Sequence, residues 1–208
     1  MGKLMLIPMM LLLLVSSASA GEARDFGPGG MKGLSAEQEG DLADGKIVFS
    51  TTDTKGKGKS ALIEAAVVFD EPPEYVWELL YRTEDQVKFL EEVDELEIVR
   101  KEELEDNLEF KLQVMFLTFV YRVIHHFDED DLHIYWGLDP SFENDLLDLR
   151  GFWKLHPYGE GKTLARYGSH VSLKNVPRWV EALFKRRGVE KSLIAVRKYV
   201  NSGGTYRK

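Results

Sequence analysis

The chain has 208 residues, no cysteine and a formal net charge of −8, from 35 acidic and 27 basic side chains. This length is enough for one domain with a sizeable core. Because acidic chains are repelled by phosphate backbones and anionic lipid surfaces, nucleic acid is not expected as a partner. The lack of cysteine excludes disulfides and thiolate metal sites, so the core alone must hold the fold together.

The first twenty residues have the three parts of a secretory signal. Lys3 gives a positive start, residues 4–15 are apolar, and Ala18-Ser19-Ala20 is an A-x-A cleavage pattern. The 12 apolar residues would span about 18 Å of helix, against a hydrocarbon core of roughly 30 Å. We therefore predict cleavage after Ala20 and export to the periplasm or the cell exterior. No stable membrane span is expected after cleavage.

The composition divides the chain into four predicted parts. Residues 1–20 are the signal peptide, and residues 21–44, rich in glycine and charge, are predicted to be a flexible leader. Residues 45–203 form the folded domain and residues 204–208 a tail.

Along the domain, the spacing of apolar residues predicts strands, then short helices, then more strands. Helical spacing starts at Pro73, a residue suited to the first turn, and Thr83 with Gln86 makes a capping-box pattern for a second short helix. Elsewhere the period is two, as in an antiparallel sheet with one wet face. The predicted strands span residues 47–49, 61–69, 93–99, 108–114, 119–127, 132–138, 146–158 and 162–173.

The last third of the chain predicts how the domain closes. Its two strands are joined by Gly159-Glu160-Gly161 and lead into one helix over residues 176–200, which Gly188 is expected to kink or split. On the first of these strands, alternation places Leu147 on the same face as Trp153. The whole order is that of an α+β domain. A sheet closed by one long helix can leave a space between the two layers.

Three blocks of sequence, in this order, resemble the SRPBCC superfamily, also called START-like or helix-grip. They are FDEPPEYVWELLYRTEDQVKFL, GFWKLHPYGEGKTLARYGSHVSL and NVPRWVEALF…SLIAVRKYV, and the resemblance covers most of residues 59–199. It is closest to the polyketide cyclase/dehydrase and coenzyme Q-binding-like branch. It implies a curved antiparallel sheet wrapped around a long C-terminal helix, two short helices after the first strand, and an internal cavity. Members include lipid carriers, sterol binders and cyclases, so the fold does not settle the function.

Side chains on the inward faces are the candidates for ligand contact, because a pocket needs apolar area and only a few polar groups. They are Tyr121, His125, Trp136, Trp153, Tyr167, Ser169, Leu183 and Val196. Each aromatic residue among them is also compatible with ordinary core packing.

Two other patterns are candidate metal sites, and neither fits one. His125 and His126 are adjacent, so on a strand they face opposite sides and cannot chelate one metal. The acidic run at residues 128–131 fails the EF-hand spacing, because His133 stands where glycine is needed. The sequence contains no recognisable catalytic set, and neither a metal nor a cofactor is predicted.

The leading hypothesis is an exported, non-enzymatic carrier or sensor of a hydrophobic small molecule such as an acyl lipid, an isoprenoid quinone or a sterol-like compound. One alternative is a cyclase/dehydrase-type enzyme in which His125 or Tyr167 moves protons on a polyketide-like substrate. Another is an interaction module that uses the basic residues 185–187 to dock a membrane complex. Transient membrane contact is compatible with each of them.

Overall fold

A computed structural model describes residues 25–52, 62–114, 116–173 and 186–208. Within them, eight strands form one antiparallel sheet in the order β1-β2-β8-β7-β6-β5-β4-β3. The strands are β1 Val48–Thr52, β2 Leu62–Phe69, β3 Val93–Lys101, β4 Glu105–Val114, β5 Leu117–Asp128, β6 His133–Leu138, β7 Leu146–Tyr158 and β8 Lys162–Leu173. The helices are α1 Ala36–Ala43, α2 Pro73–Tyr81, α3 Gln86–Phe89 and α4 Arg186–Asn201, with 3-10 turns at Pro28–Gly30 and Thr83–Asp85.

The predicted α+β helix-grip architecture is confirmed: a curved antiparallel sheet, two short helices after its first strands and a C-terminal helix. The alternation of apolar residues in the sequence matches the alternation of burial on β5, where buried and half-buried residues alternate from Phe119 to Phe127. Helix α4 continues through Gly188, so it is not split there. The predicted part of this helix before residue 186 lies outside the described residues.

The core lies between the inner face of the sheet and the helices. Val67 and Phe69 of β2 pack there with Trp77 of α2, and with Leu193 and Tyr199 of α4. A second cluster, around Leu108, Phe110 and Val123, lies toward the far edge of the sheet. These two clusters place apolar side chains on either side of a central space.

The segment predicted as a flexible leader differs from the structure, which contains α1 there. Ser35 caps the helix by accepting a hydrogen bond from the Gln38 N–H, and the Gln38 side chain accepts one from Ser35 N–H in return. Leu42 is fully buried against Ala66 and Val68 on the outer face of the sheet. The Ser-x-x-Gln capping box was therefore the signal for this helix.

The prediction of a tail at residues 204–208 also differs from the structure. Lys208 N–H donates to the Lys88 carbonyl oxygen at 3.0 Å, and Lys208 Nζ donates to the Val93 carbonyl oxygen at 2.6 Å. Tyr206 packs against the main core. These contacts hold the end of the chain against α3 and the start of β3.

The expected placement of Leu147 on the inner face is wrong. A register shift between Leu146 and Asp148 interrupts the pairing of β7 with β8. As a result Leu146 is 3% exposed and Leu147 is 58% exposed. A single extra residue in a strand turns the side chains before it to the other face.

Candidate ligand cavity

A cavity of about 660 Å³ lies between the inner face of the sheet and helices α2, α3 and α4. Seven of the eight predicted site residues line it, and the eighth, Leu183, lies outside the described residues. The seven are Tyr121, His125, Trp136, Trp153, Tyr167, Ser169 and Val196. Apolar side chains make up most of the remaining wall, among them Leu112, Val123, Leu149, Val171 and Leu193.

Strand register brings residues from five strands into one row across the cavity wall. Asp106 of β4 is opposite His125 of β5, which is opposite Trp136 of β6. Trp136 is opposite Gly151 of β7, which is opposite Ser169 of β8. Because paired residues in a sheet point to the same face, their side chains share one side of it.

Glycine at position 151 makes room for an aromatic wall. The Trp136 indole lies over Gly151, and a Cβ built there would stand 2.5 Å from Trp136 Cε2. The ring centroid of Trp136 is 6.0 Å from that of Tyr167, which is 4.6 Å from that of Trp153. Three aromatic rings therefore form a continuous surface on one side of the cavity.

Behind the apolar wall lies a buried pair of polar side chains, of which His125 lines the cavity. His125 Nδ1 lies 2.8 Å from Asp106 Oδ1, and His125 is 5% exposed. Asp106 has no exposed surface, and its other carboxylate oxygen accepts a hydrogen bond from the Thr83 hydroxyl. Thr83 comes from the 3-10 turn before α3, so this network ties the sheet to the short helices.

Two tyrosine hydroxyls are also part of the cavity wall. Burial raises the pKa of Tyr121, and the nearby Tyr167 adds to that shift. Burial also raises the pKa of Tyr167, while a hydrogen bond with Ser169 opposes the shift. Both phenols therefore stay protonated across the physiological range and can donate hydrogen bonds.

Charged and polar side chains gather where α4 approaches α3 and the start of β3. Lys191 Nζ of α4 lies 2.7 Å from Glu91 Oε2 and 3.1 Å from Glu92 Oε1. Hydrogen bonds with both glutamates raise the pKa of Lys191. Glu92, Gln113 and Arg187 also line this part of the cavity. This polar end contrasts with the apolar interior.

The neighbouring histidine is on the other side of the sheet, as the sequence predicts. His126 stacks on Tyr135 with ring centroids 4.8 Å apart, and its Nδ1 lies 3.2 Å from Glu105 Oε2. Partial burial lowers its pKa. His125 and His126 therefore cannot share a ligand. Within the described residues, no cluster of three or more His, Asp or Glu side chains could hold a metal ion.

Sequence reasoning missed Asp106 and Thr83. A signal existed for Asp106, since it is two residues before the buried Leu108 and so shares its face on β4. A charged residue at the start of a strand is usually exposed, and only the cross-strand partner reveals this one as buried. Thr83 was identified as a helix cap, but its hydroxyl bonds Asp106.

No protein-family model and no curated protein matches the chain by sequence. Solved structures do match it, at low identity. TTHA0849 from Thermus thermophilus is 22% identical, with a TM-score of 0.60 over 69% of this chain and 99% of that one. A STAR-related lipid transfer protein from Xanthomonas axonopodis is 14% identical, with a TM-score of 0.59 over 74% and 93%. The Zhui aromatase/cyclase from Streptomyces sp. R1128 is also 14% identical, with a TM-score of 0.58 over 68% and 93%.

These likenesses establish the fold as START-like, of the SRPBCC type. They do not select the cyclase/dehydrase and coenzyme Q-binding-like branch, which stays a prediction. In the described parts of the chain, no helix is both long and apolar enough to cross a bilayer.

Proposed function

We propose that this protein binds one hydrophobic small molecule in the cavity and carries it, without chemical change, as an exported protein. The observation that carries the proposal is the cavity of about 660 Å³ with a mainly apolar wall. Pockets for small molecules commonly measure about 300–1,000 Å³ and place few polar groups among apolar ones. The fold is shared with a lipid transfer protein, which supports the same class of ligand.

The energetics favour binding without any special reactive group. Burying one CH₂ gains about 0.8 kcal/mol, so a 16-carbon chain offers about 13 kcal/mol before costs. Association and ordering take back at least several kcal/mol. With a cost near 4 kcal/mol, the low end of the usual range, about 9 kcal/mol remains, which corresponds to a Kd below about 1 μM. The wall therefore needs polar groups only to orient the ligand.

Export is the part of the proposal that rests on sequence alone. Residues 1–20, which carry the secretory pattern, lie outside the described residues. A carrier outside the cytoplasm would exchange its ligand with a membrane or another protein, so transient membrane contact belongs to the same proposal. Edman sequencing of protein recovered from its own host tests cleavage after Ala20: an intact N-terminus would contradict export by this signal.

Native mass spectrometry of protein purified from its own host tests the binding. We expect one apolar molecule per chain, extractable with organic solvent. Val123→Phe adds a ring inside the cavity and should lower occupancy, whereas Ile124→Phe adds the same ring on the opposite face of β5 and should not. Repeated recovery of empty wild-type protein, with no uptake from added lipid, would contradict the proposal.

A second candidate function is a cyclase/dehydrase-type enzyme, and one observation favours it. His125 lines the cavity and forms a buried pair with Asp106 behind it, an arrangement in which a carboxylate can orient a histidine that moves protons. The likeness to an aromatase/cyclase supports the same reading. Unchanged ligand uptake with loss of turnover in His125→Ala would favour the enzyme over the carrier.

The third hypothesis, a docking module using residues 185–187, falls mostly outside the described residues. Of the three side chains only that of Arg187 is described, and it lies at the polar end of the cavity.

A further inference from the structure

The His125 ring is held in one orientation by its partners. Its Nδ1 is 2.8 Å from Asp106 Oδ1, and the other Asp106 oxygen is bonded by the Thr83 hydroxyl. We assign the hydrogen between the two side chains to Nδ1, so that Asp106 accepts from both the imidazole and the Thr83 hydroxyl. In this tautomer the lone pair of the ring is on Nε2.

His125 is part of the cavity wall. Nε2 is a hydrogen-bond acceptor in this tautomer, and the Asp106 carboxylate strengthens it by polarising the ring. The His125 ring lies among other aromatic rings: the centroid of Trp136 is 5.8 Å from that of His125, and the centroid of Phe127 is 6.3 Å away. An apolar ligand beside His125 would leave the acceptor without a partner, at a cost in affinity.

We propose that His125 Nε2 accepts a hydrogen bond from a hydroxyl group on the ligand, so that the cavity selects apolar alcohols or phenols over hydrocarbons and carboxylates of equal length. This proposal rests on the proposed binding function and names the class of its ligand. Asp106 is a positioning residue, because it orients the imidazole and does not itself line the cavity, and the Thr83 hydroxyl holds Asp106 in place.

Charge decides between a hydroxyl and a carboxylate at this site. Asp106 is fully buried next to His125, so a ligand carboxylate at Nε2 would place a second carboxyl group against the same ring, in a cavity whose wall is mainly apolar. A hydroxyl donates to Nε2 without bringing a charge. The cationic groups that would suit a carboxylate, Lys191 and Arg187, line the polar end of the cavity instead.

Binding of 1-decanol, decane and decanoate to the full chain near pH 8, where decanoate is ionised, tests the proposal. Two tryptophans in the wall, Trp136 and Trp153, provide a fluorescence signal. We expect 1-decanol to bind about three- to tenfold more tightly than decane, the value of one net hydrogen bond. Decanoate should gain nothing from His125.

Variants distinguish a hydrogen bond at His125 from binding by the apolar wall of the cavity. In His125→Phe the preference for 1-decanol over decane should fall to about one, because 1-decanol loses its hydrogen bond and decane no longer leaves an acceptor without a partner. Asp106→Asn should also reduce the preference for 1-decanol, because the asparagine amide can donate to Nδ1. The ring hydrogen then moves to Nε2, which can no longer accept from a hydroxyl. His126→Phe, on the outer face, is the matched control and should keep the preference. An unchanged preference in His125→Phe would overturn the proposal.

A measurement on the wild-type protein settles the case if His125→Phe does not fold. Nitrogen NMR of labelled histidine should show the Nδ1–H tautomer of His125, and adding 1-decanol should shift Nε2 toward the hydrogen-bonded range. No shift at Nε2 while 1-decanol is bound would refute the inference. Failure of all three compounds to bind contradicts the proposed function itself, whereas equal binding of all three contradicts only the hydroxyl preference.

Discussion

Replacing Gly151 with alanine should destabilise the protein, because Trp136 occupies the space that a side chain would need. The added Cβ would lie 2.5 Å from Trp136 Cε2 and 2.5 Å from the Gly168 carbonyl oxygen. Ordinary carbon contacts are about 3.5–4.0 Å, so neighbours would have to move by about 1 Å. Overpacking of this kind costs about 1–3 kcal/mol.

Thermal and urea unfolding, followed by circular dichroism, measure the effect. For a chain of this size 1 kcal/mol corresponds to about 2–4 °C, so the midpoint should fall by about 2–12 °C. Gly40→Ala is the matched control: no atom lies within 4 Å of its Cβ position, and the site is in helix α1. There alanine should raise stability by up to about 1 kcal/mol.

Of the two groups that an alanine at position 151 would contact too closely, the Trp136 indole is a side chain and can be replaced, which allows a second test. In a Trp136→Leu background, Gly151→Ala should cost less than in wild type, with a coupling of at least about 0.5 kcal/mol. Some cost should persist, because the Gly168 carbonyl is backbone. Wild-type stability of Gly151→Ala, or strict additivity in the double variant, would refute the reasoning.

Three further predictions concern buried polar groups. Tyr199→Phe should cost about 1–3 kcal/mol near pH 7, because the Tyr199 hydroxyl donates to Asp85 Oδ2 at 2.6 Å. Burial alone raises the pKa of Asp85, but hydrogen bonds from Lys88 and Tyr199 bring it below its usual value. The ionised Asp85 carboxylate therefore stabilises the fold at pH values above its unfolded pKa, near 3.9. This contribution is lost as the pH falls from there through the lower pKa of the folded state. The stability curves of Asp85→Asn and wild type, measured against pH, should converge over that fall. Arg166→Met should expose the N-terminal segment to limited proteolysis, because Arg166 donates to the carbonyl oxygen of Gly30 at 2.8 Å.

Each of the three has a control or a contrary result. Tyr121→Phe is the control for Tyr199→Phe: the pKa of Tyr121 is raised by burial and by Tyr167 and not by a hydrogen bond, so loss of its hydroxyl should change stability by less than about 0.5 kcal/mol. Equal losses in both variants would contradict the role of the Tyr199 bond. A pH-independent gap between Asp85→Asn and wild type would contradict the linkage. Arg197→Met, on α4, removes a hydrogen bond to the exposed Gly45 carbonyl and should leave the N-terminal cleavage pattern unchanged.

Local periodicity was sufficient to predict most of the cavity wall. The alternation on β5 identified Tyr121 and His125 as inward, and the same rule on β8 identified Tyr167 and Ser169. A period of two depends only on neighbouring residues in the chain, so it can be seen in the sequence without knowing which strands pair. The order of elements, together with the three blocks of resemblance, predicted the helix-grip architecture in the same way.

The sequence by itself therefore determined the fold class, the strands and the inward faces. Only the tertiary structure decided that Asp106 is a partner of His125, because cross-strand register joins residues 19 positions apart. It also decided that the Leu147 side chain is exposed, because a bulge in β7 turns the residues before it to the opposite face of the sheet. The hydrogen bond between Thr83 and Asp106 of β4 is likewise a tertiary contact. Such contacts are set by how strands and helices pack over long distances in the chain, and no local pattern records that packing.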